Sequence, residues 1–177
     1  NQIGERVEIV KCHNAGHLAL WHIRLYEKLP EYFVYTDSDI ILNKDFPIFW
    51  KERMLNFHRQ YGYKKIALAI ELNDIPKHYR YKNQVLRNEA RWWYEEIEED
   101  VFVADTDTTF ALMKNFGDNC FDSIRLSHPN MICKHHPWYI DLDNLDEEER
   151  YYLDHLDLSL VTQYSKQHLN PSKYTDV

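Results

Sequence analysis

The sequence predicts a mixed α/β protein in which helices flank a sheet. Compact aromatic and β-branched runs at 32–36 and 66–70 are typical of buried strands, while residues 46–61 carry apolar side chains at helical spacing. The chain has 177 residues, 44% of them hydrophobic, which is enough to bury a core as one domain. Strand and helix signals that alternate along such a chain favour a layered α/β architecture.

Each predicted element depends on a local pattern. Pro30 ends the first helix, and Asn144 with Glu147 three residues later suits a capping arrangement at the start of the last one. In chain order the predictions are a strand at 7–11, a helix at 14–29, a strand at 32–36, a helix at 46–61, a strand at 66–70, a helix at 81–99, strands at 101–104 and 108–113, and a helix from 144 to about 155.

Composition excludes several functional classes. The four glycines are too scattered for a dinucleotide fingerprint or a P-loop, and a net charge of -8 argues against nucleic acid as a partner. No apolar run approaches the roughly 18 residues of a membrane span, and no signal peptide is seen, so we expect a cytoplasmic protein without a transmembrane segment. The three cysteines, at 12, 120 and 133, lack CxxC spacing and predict reduced thiols.

Two aspartates directly after a predicted buried strand give the strongest chemical signal. Asp37 and Asp39 follow residues 32–36 and flank Ser38. Paired carboxylates can share Mg²⁺ or Mn²⁺, and such a cation could bridge a diphosphate and stabilise its charge as it leaves. A solvated turn or a helix N-cap is the alternative use of the same residues.

A second acidic pair, Asp105 and Asp107, follows the predicted strand at 101–104. This pattern resembles the nucleophile motif of haloacid-dehalogenase-like phosphatases, in which the first acid would attack phosphorus and the second would handle the leaving-group proton. That motif usually opens its domain, whereas only about seventy residues follow it here. An EF-hand is excluded because the glycine and terminal glutamate of the loop are missing.

The third signal is a histidine pair before a proline. His135 and His136 precede Pro137 and the large rings of Trp138 and Tyr139. Imidazole could complete a metal shell. In a chain with ten histidines, an accidental pair is also plausible.

Together these blocks resemble sugar-nucleotide-dependent glycosyltransferases of the GT-A fold, a group of bacterial and viral enzymes. The matching blocks are 14–17, 35–39, 65–70, 73–76, Glu89 with Trp92 and Trp93, 107–112 and 134–139. The resemblance implies an α/β GT-A mixed sheet flanked by helices, with residues 1–177 forming a single glycosyltransferase domain. Because the acidic motif arrives at residue 37, roughly fifty residues of the family pattern are expected to be missing, including the strand and helix that hold the nucleotide.

The resemblance also implies a donor site. Asp37 and Asp39 would hold Mn²⁺ or Mg²⁺ on the diphosphate of a nucleotide sugar, with His135 as a further ligand. His136 falls where the family usually has an apolar residue, although adjacent histidines leave the choice of ligand open. Residues near the nucleotide would be Asn14, Gly16 and Ser38.

A transferase of this kind needs a carboxylate that deprotonates the acceptor hydroxyl. Asp107 is the first candidate, followed by Glu89 and Asp74. Glu89 could instead pair with a cation on its helix, and Asp74 is a natural turn former. Candidates for stacking on a sugar are Trp138, Tyr139 and Trp92, although a helical Trp92 is more typical of a core.

The sequence therefore predicts a metal-dependent transferase that moves a sugar from a nucleotide diphosphate to a glycan or lipid-linked acceptor in polysaccharide biosynthesis. Its expected location is the cytoplasm or the inner membrane surface. A phosphatase using Asp105 and Asp107, and a non-catalytic carbohydrate-binding module, remain open alternatives.

Overall fold

The computed structural model describes residues 7–13, 15–106, 109–117, 121–128, 130–141 and 143–155, and confirms the mixed α/β class. Its strands are β1 Tyr32–Thr36, β2 Ile40–Leu42, β3 Lys65–Ile70, β4 Glu96–Glu98, β5 Val101–Val103, β6 Phe110–Lys114, β7 Ser123–Leu126 and β8 Ile132–His135. Its helices are α1 Ala19–His22, α2 Trp50–Tyr61, α3 Lys82–Ala90 and α4 Glu147–His155, with short 3-10 turns at Gly16–Leu18, Leu25–Lys28, Arg91–Trp93 and His136–Trp138.

The strands form one mixed sheet of eight strands, in which β3 is central and the order is β1-β6-β3-β7-β5-β4. β6 runs antiparallel to both β1 and β3, whereas β7 runs parallel to β3. β8 pairs in parallel with the last two residues of β3, Ala69 and Ile70, and β2 pairs antiparallel with β8. One edge of the sheet therefore brings together the carboxyl ends of β1, β3 and β8 and the amino ends of β2 and β6.

The core lies on both faces of β3, which is buried throughout. On one face Ile66 and Leu68 belong to a cluster with Met54 and Phe57 of α2. On the other face Ala67 packs with small and apolar neighbours from β6 and with rings from α1 and β1. Because both faces are covered, residues 66–70 of β3 form a continuous apolar run rather than an alternating one.

The predicted strands at 32–36, 66–70 and 101–104 are confirmed, but the strand at 7–11 is wrong. Residues 7–13 have no regular secondary structure, and Ile9 is 81% exposed. The alternating pattern alone could not supply a partner strand, and none of the described strands pairs with this segment. The helix predicted at 14–29 is broken into short turns, because Arg24 adopts a left-handed conformation with φ of 56°.

The helix predicted at 81–99 is correct only in its first half. α3 ends at Ala90, and the following aromatic residues lead into β4, which pairs with β5. Trp93 packs on Phe102 of β5, with ring centroids 5.1 Å apart, so tertiary packing replaces the last helical turns. The helix predicted at 46–61 begins only at Trp50, after Pro47. The short strands β2, β7 and β8 were not predicted.

The last helix begins at Glu147, and its capping residue is Asp146, two residues after the predicted cap at Asn144. Asp146 accepts a hydrogen bond from the Glu149 amide at 2.7 Å, and Glu149 accepts one from the Asp146 amide at 3.0 Å. This reciprocal capping box replaces the pair expected at Asn144 and Glu147. In the part of the chain that the structure describes, no helix has the length and apolarity needed to cross a membrane.

Candidate metal and donor site

Strand register brings Asp39 and His135 together at the shared edge of the sheet. Ile40, the first residue of β2, is paired with His135, the last residue of β8. The His136 amide donates a 2.8 Å hydrogen bond to the Asp39 carbonyl, which extends this ladder by one step. As a result, Asp39 Oδ2 lies 3.3 Å from His135 Nε2. The backbone pairing of β2 with β8 therefore determines the contact between Asp39 and His135.

The Asp39–His135 pair is half-buried and keeps unused bonding capacity. Their side chains are 31% and 29% exposed. Burial by itself raises the pKa of the Asp39 carboxyl, but the hydrogen bond and charge of His135 outweigh it and hold the pKa below its ordinary value. Asp39 Oδ1 and His135 Nδ1 are buried and have no hydrogen-bond partner among the described residues. Buried polar atoms normally have partners, so these two atoms keep the capacity to bind a water or a ligand.

His136 faces a different acid. Its Nε2 lies 3.6 Å from Oε1 of Glu149, whose side chain is only 16% exposed. The same Glu149 completes the capping box at the start of α4, so α4 is joined to the histidine pair. His136 Nδ1 is also buried without a partner in the described chain. The two histidines therefore divide their contacts, with His135 on Asp39 and His136 on α4.

The donor set fits a partial shell for a hard divalent cation. Within the described ranges, no group of three or more His, Cys, Asp or Glu side chains is arranged to hold a metal. Mg²⁺ usually keeps several waters and binds one or two carboxylates plus substrate phosphates. Asp39 can therefore be a ligand without a complete set of protein ligands around the cation. The imidazole of His135 fits Mn²⁺ better than Mg²⁺.

Asp37 lies near this pair in sequence but belongs to another strand junction. Its amide donates a 3.2 Å hydrogen bond to the Thr109 carbonyl, and Thr36 Oγ1 donates to the same carbonyl at 2.7 Å. Asp37 is half-buried and Ser38 is exposed in the turn between β1 and β2. The acidic motif thus spans the step from the β1–β6 pair to the β2–β8 pair.

Asp74 and Tyr139 meet beside β8. Tyr139 Oη donates a 2.6 Å hydrogen bond to Asp74 Oδ1, and Lys134 Nζ donates to Oδ2. Burial raises the pKa of Asp74, but these two bonds outweigh it and hold the pKa below its ordinary value. Burial and the bond to Asp74 raise the pKa of Tyr139. Asp74 is therefore a weak base in this arrangement.

Trp138 has little free surface for a sugar. It is 9% exposed, and its ring meets the His135 ring edge-on with centroids 5.1 Å apart. That contact orients His135, since an edge-to-face pair fixes the relative tilt of two rings. Tyr139 is half-buried, so it keeps more open surface than Trp138.

Two buried cations hold the segment that leads to Asp107. Lys65 is fully buried, and its Nζ donates a 2.7 Å hydrogen bond to the Thr106 carbonyl. Arg125, which is 7% exposed, donates from Nε to Thr106 Oγ1 at 3.0 Å and from Nη2 to the Asp105 carbonyl at 2.6 Å. The Asp105 side chain itself is exposed. Asp107 lies outside the described residues.

Glu89 and Trp92 both attach to Arg125. Arg125 Nη1 donates to Glu89 Oε2 at 2.8 Å in an ion pair whose side chains are 8% and 18% exposed. The Trp92 ring lies 4.4 Å from the Arg91 guanidinium and 5.7 Å from that of Arg125. These contacts favour an ion-pair role for Glu89 and a packing role for Trp92 over the roles in catalysis and sugar binding that the sequence suggested.

The predicted nucleotide contacts are described only in part. Gly16 has a φ of +55°, a conformation that favours glycine, and a Cβ added there would meet nothing within 4 Å. The backbone angle, rather than a crowded neighbour, therefore explains this glycine. Asn14 lies outside the described residues. Cys12 and Cys133 are both free thiols, and Cys120 lies outside the described residues.

Sequence reasoning did not identify Lys65 and Arg125 as the residues that hold the segment at 105–106, nor Glu149 as the acid beside His136. The available signals were charges in apolar surroundings: Lys65 opens the buried run of β3, and Arg125 stands between Ile124 and Leu126. A charge in such a run is rarely buried unless it is paired. Glu149 gave a weaker signal, because acids are common in the first turn of any helix.

Comparison with protein family models, with curated proteins and with solved structures finds no match to this chain. The motif resemblance and the geometry at the sheet edge are thus what supports a functional interpretation.

Proposed function

We propose that this chain is a metal-dependent glycosyltransferase that moves a sugar from a nucleotide-diphosphate sugar to a glycan or lipid-linked acceptor. The observation that carries the proposal is the contact of Asp39 with His135, fixed by the β2–β8 register at the sheet edge where the acidic motif ends. Buried atoms without partners on both side chains support a ligand at this point.

In this proposal Asp39 and His135 hold Mn²⁺ or Mg²⁺, and Asp37 approaches from the adjoining β1–β6 junction. When bound, the cation supplies positive charge that stabilises the leaving diphosphate. Trp138 keeps the His135 ring oriented, and the His136 amide keeps the Asp39 backbone in place.

The acceptor hydroxyl needs a carboxylate that can take its proton. Glu89 is held in an ion pair by Arg125, and Asp74 has a lowered pKa, so both are poorly suited to this step. Asp107 therefore remains the first candidate. The residues near it, Thr106 and Thr109, are both fixed by hydrogen bonds.

A thermal-shift screen of nucleotide sugars with and without Mn²⁺ tests the proposal. A donor at 100 times its Kd should stabilise the chain by about 2.7 kcal/mol, which is a rise in Tm of roughly 5–11 °C for a chain of this size. Asp39→Ala should abolish the metal-dependent part of the shift and any hydrolysis of the donor. Asp45→Ala, which removes an exposed acid nearby, is the matched control.

Other outcomes identify the alternatives. Turnover of a generic phosphate ester that is lost in Asp105→Asn would favour the phosphatase. Glycan binding without any turnover would favour the carbohydrate-binding module. If no nucleotide diphosphate stabilises the chain in a metal-dependent way, the transferase proposal is wrong.

A further inference from the structure

The Glu149 side chain is turned toward the sheet on a helix whose neighbouring charged side chains face solvent. Those exposed neighbours are Glu147, Glu148 and Arg150. The Glu149 side chain, by contrast, is 16% exposed. Its Oε2 atom accepts the capping bond from the Asp146 amide, and its Oε1 atom lies 3.6 Å from Nε2 of His136. One carboxylate therefore fixes the start of α4 and also contacts the histidine pair.

His136 connects Glu149 to the backbone of the candidate metal site. The His136 amide donates the 2.8 Å hydrogen bond to the Asp39 carbonyl, and the His136 carbonyl accepts a 2.8 Å bond from the Tyr139 amide. The short turn between these two bonds contains Pro137, whose ring fixes its φ. Residue 136 is thus held at its amide, its carbonyl and its side chain, so a change at the side chain can be transmitted to the bond with Asp39.

The contact between Glu149 and His136 also decides which imidazole faces Asp39. At 3.6 Å the contact is longer than an ordinary hydrogen bond, but a carboxylate and an imidazole N–H still attract each other at that distance. The Glu149 carboxylate therefore draws the His136 ring toward α4. Asp39 Oδ2 is left to the ring of His135, which lies 3.3 Å away.

We propose that Glu149 is a positioning residue of the candidate metal site, and that it couples the docking of α4 to cation binding. This inference rests on the proposed function, because it takes Asp39 and His135 as the ligands. With Glu149 in place, His136 keeps its amide on the Asp39 carbonyl and its ring on the side of α4. Because coupling between two sites is reciprocal, a cation at Asp39 and His135 stabilises docked α4 by as much as docked α4 strengthens cation binding.

The experiment measures Mn²⁺ binding to the full 177-residue chain by electron paramagnetic resonance. Glu149→Gln is the test variant, because a Gln side chain can also complete a capping box, so α4 keeps its cap while the carboxylate that faces His136 is lost. The variant should raise the Kd for Mn²⁺ by about fivefold or more. Glu148→Gln removes the same charge from an exposed neighbour, and as the matched control it should leave the Kd unchanged.

Two further measurements separate positioning from a simple effect of charge. If Glu149 acts through His136, Glu149→Gln should raise the Kd in the parent but have no further effect in a His136→Gln background. Hydrogen exchange gives a readout that does not depend on turnover. Saturating Mn²⁺ should slow the exchange of the α4 amides in the parent by a factor of about five, and should leave their exchange unchanged in Glu149→Gln.

The outcomes distinguish this inference from the proposed function. Mn²⁺ binding that Asp39→Ala abolishes and Glu149→Gln leaves unchanged would overturn the inference while the metal site stands. An equal effect of Glu149→Gln with and without His136 would also overturn it, because Glu149 would then act by its charge alone. If the parent shows no Mn²⁺ binding that depends on Asp39, the metal site and the inference are both wrong.

Discussion

Replacing Arg125 with methionine should destabilise the fold more than any substitution of an exposed charge. Arg125 is 7% exposed and binds Glu89, the Asp105 carbonyl and Thr106 Oγ1. Methionine keeps much of the side-chain volume but removes all these donors. The Glu89 carboxylate would then remain 18% exposed without its cation.

The magnitude follows from the burial of the pair. Removal of one partner from a buried ion pair costs about 3–5 kcal/mol, because the remaining charge is uncompensated. Glu89 keeps some contact with water, so we expect the lower end of that range, about 3 kcal/mol. For a chain of this size that loss corresponds to a fall in Tm of roughly 6–12 °C.

The assay is urea unfolding followed by circular dichroism for the parent, Arg125→Met, Glu89→Gln and the double variant. The double variant should be less destabilised than the sum of the two single variants, with a coupling of on the order of 1–3 kcal/mol. Lys134→Met is the control, because its ion pair with Asp74 is 40% and 46% exposed and should cost less than about 1 kcal/mol.

Additive losses in the free energy of unfolding for the two single variants would contradict this prediction. They would mean that the contact between Arg125 and Glu89 adds no stability beyond the other contacts of each residue. A loss for Lys134→Met as large as that for Arg125→Met would refute it as well, since burial could then not be the cause.

Two further predictions concern titratable groups. The pKa of Asp74 is lowered in the folded state by its bonds to Lys134 and Tyr139, so its contribution to stability is present above the ordinary pKa and is lost as the pH falls through the folded value. Asp74→Asn should therefore flatten the decline of the urea midpoint between about pH 5 and pH 3, and slopes equal to the parent's would contradict this. Burial raises the pKa of the Cys133 thiol to about 12, so in a Cys12→Ser, Cys120→Ser background a thiol reagent at pH ~8 should meet a thiolate fraction on the order of 10⁻⁴. Labelling of Cys133 should therefore require unfolding. If Cys133 is labelled as fast as Cys12 in the parent, the Cys133 thiol is accessible and the prediction is wrong.

The parts of the fold that depend on local sequence could be predicted. β1 and β3 are compact apolar runs with clear ends, so their pattern alone was sufficient. β7 and β8 are four residues each and are defined by pairing with β3 far away in sequence, which no local pattern reports. The helix predicted at 81–99 failed for the same reason, since the pairing of β4 with β5 competes with the helical preference of residues 94–99.

The candidate site shows the same division. The acids at 37 and 39 could be found from sequence, because they directly follow a strand. The different surroundings of these two acids could not be predicted from sequence, because the surroundings depend on which strands pair. The β2–β8 register gives Asp39 its neighbour His135, and the β1–β6 register gives Asp37 its bond to Thr109.

This difference changes how the acidic motif should be understood. In the sequence the two carboxylates look like equivalent ligands. In the structure Asp37 follows the last residue of β1, whereas Asp39 precedes the first residue of β2. A cation shared by both would join the β1–β6 pair to the β2–β8 pair across the exposed turn at Ser38. Loss of Asp39 should then affect the binding of metal and donor together, whereas its effect on the fold without ligand should be small, because the β2–β8 pairing depends on backbone hydrogen bonds that the substitution leaves in place.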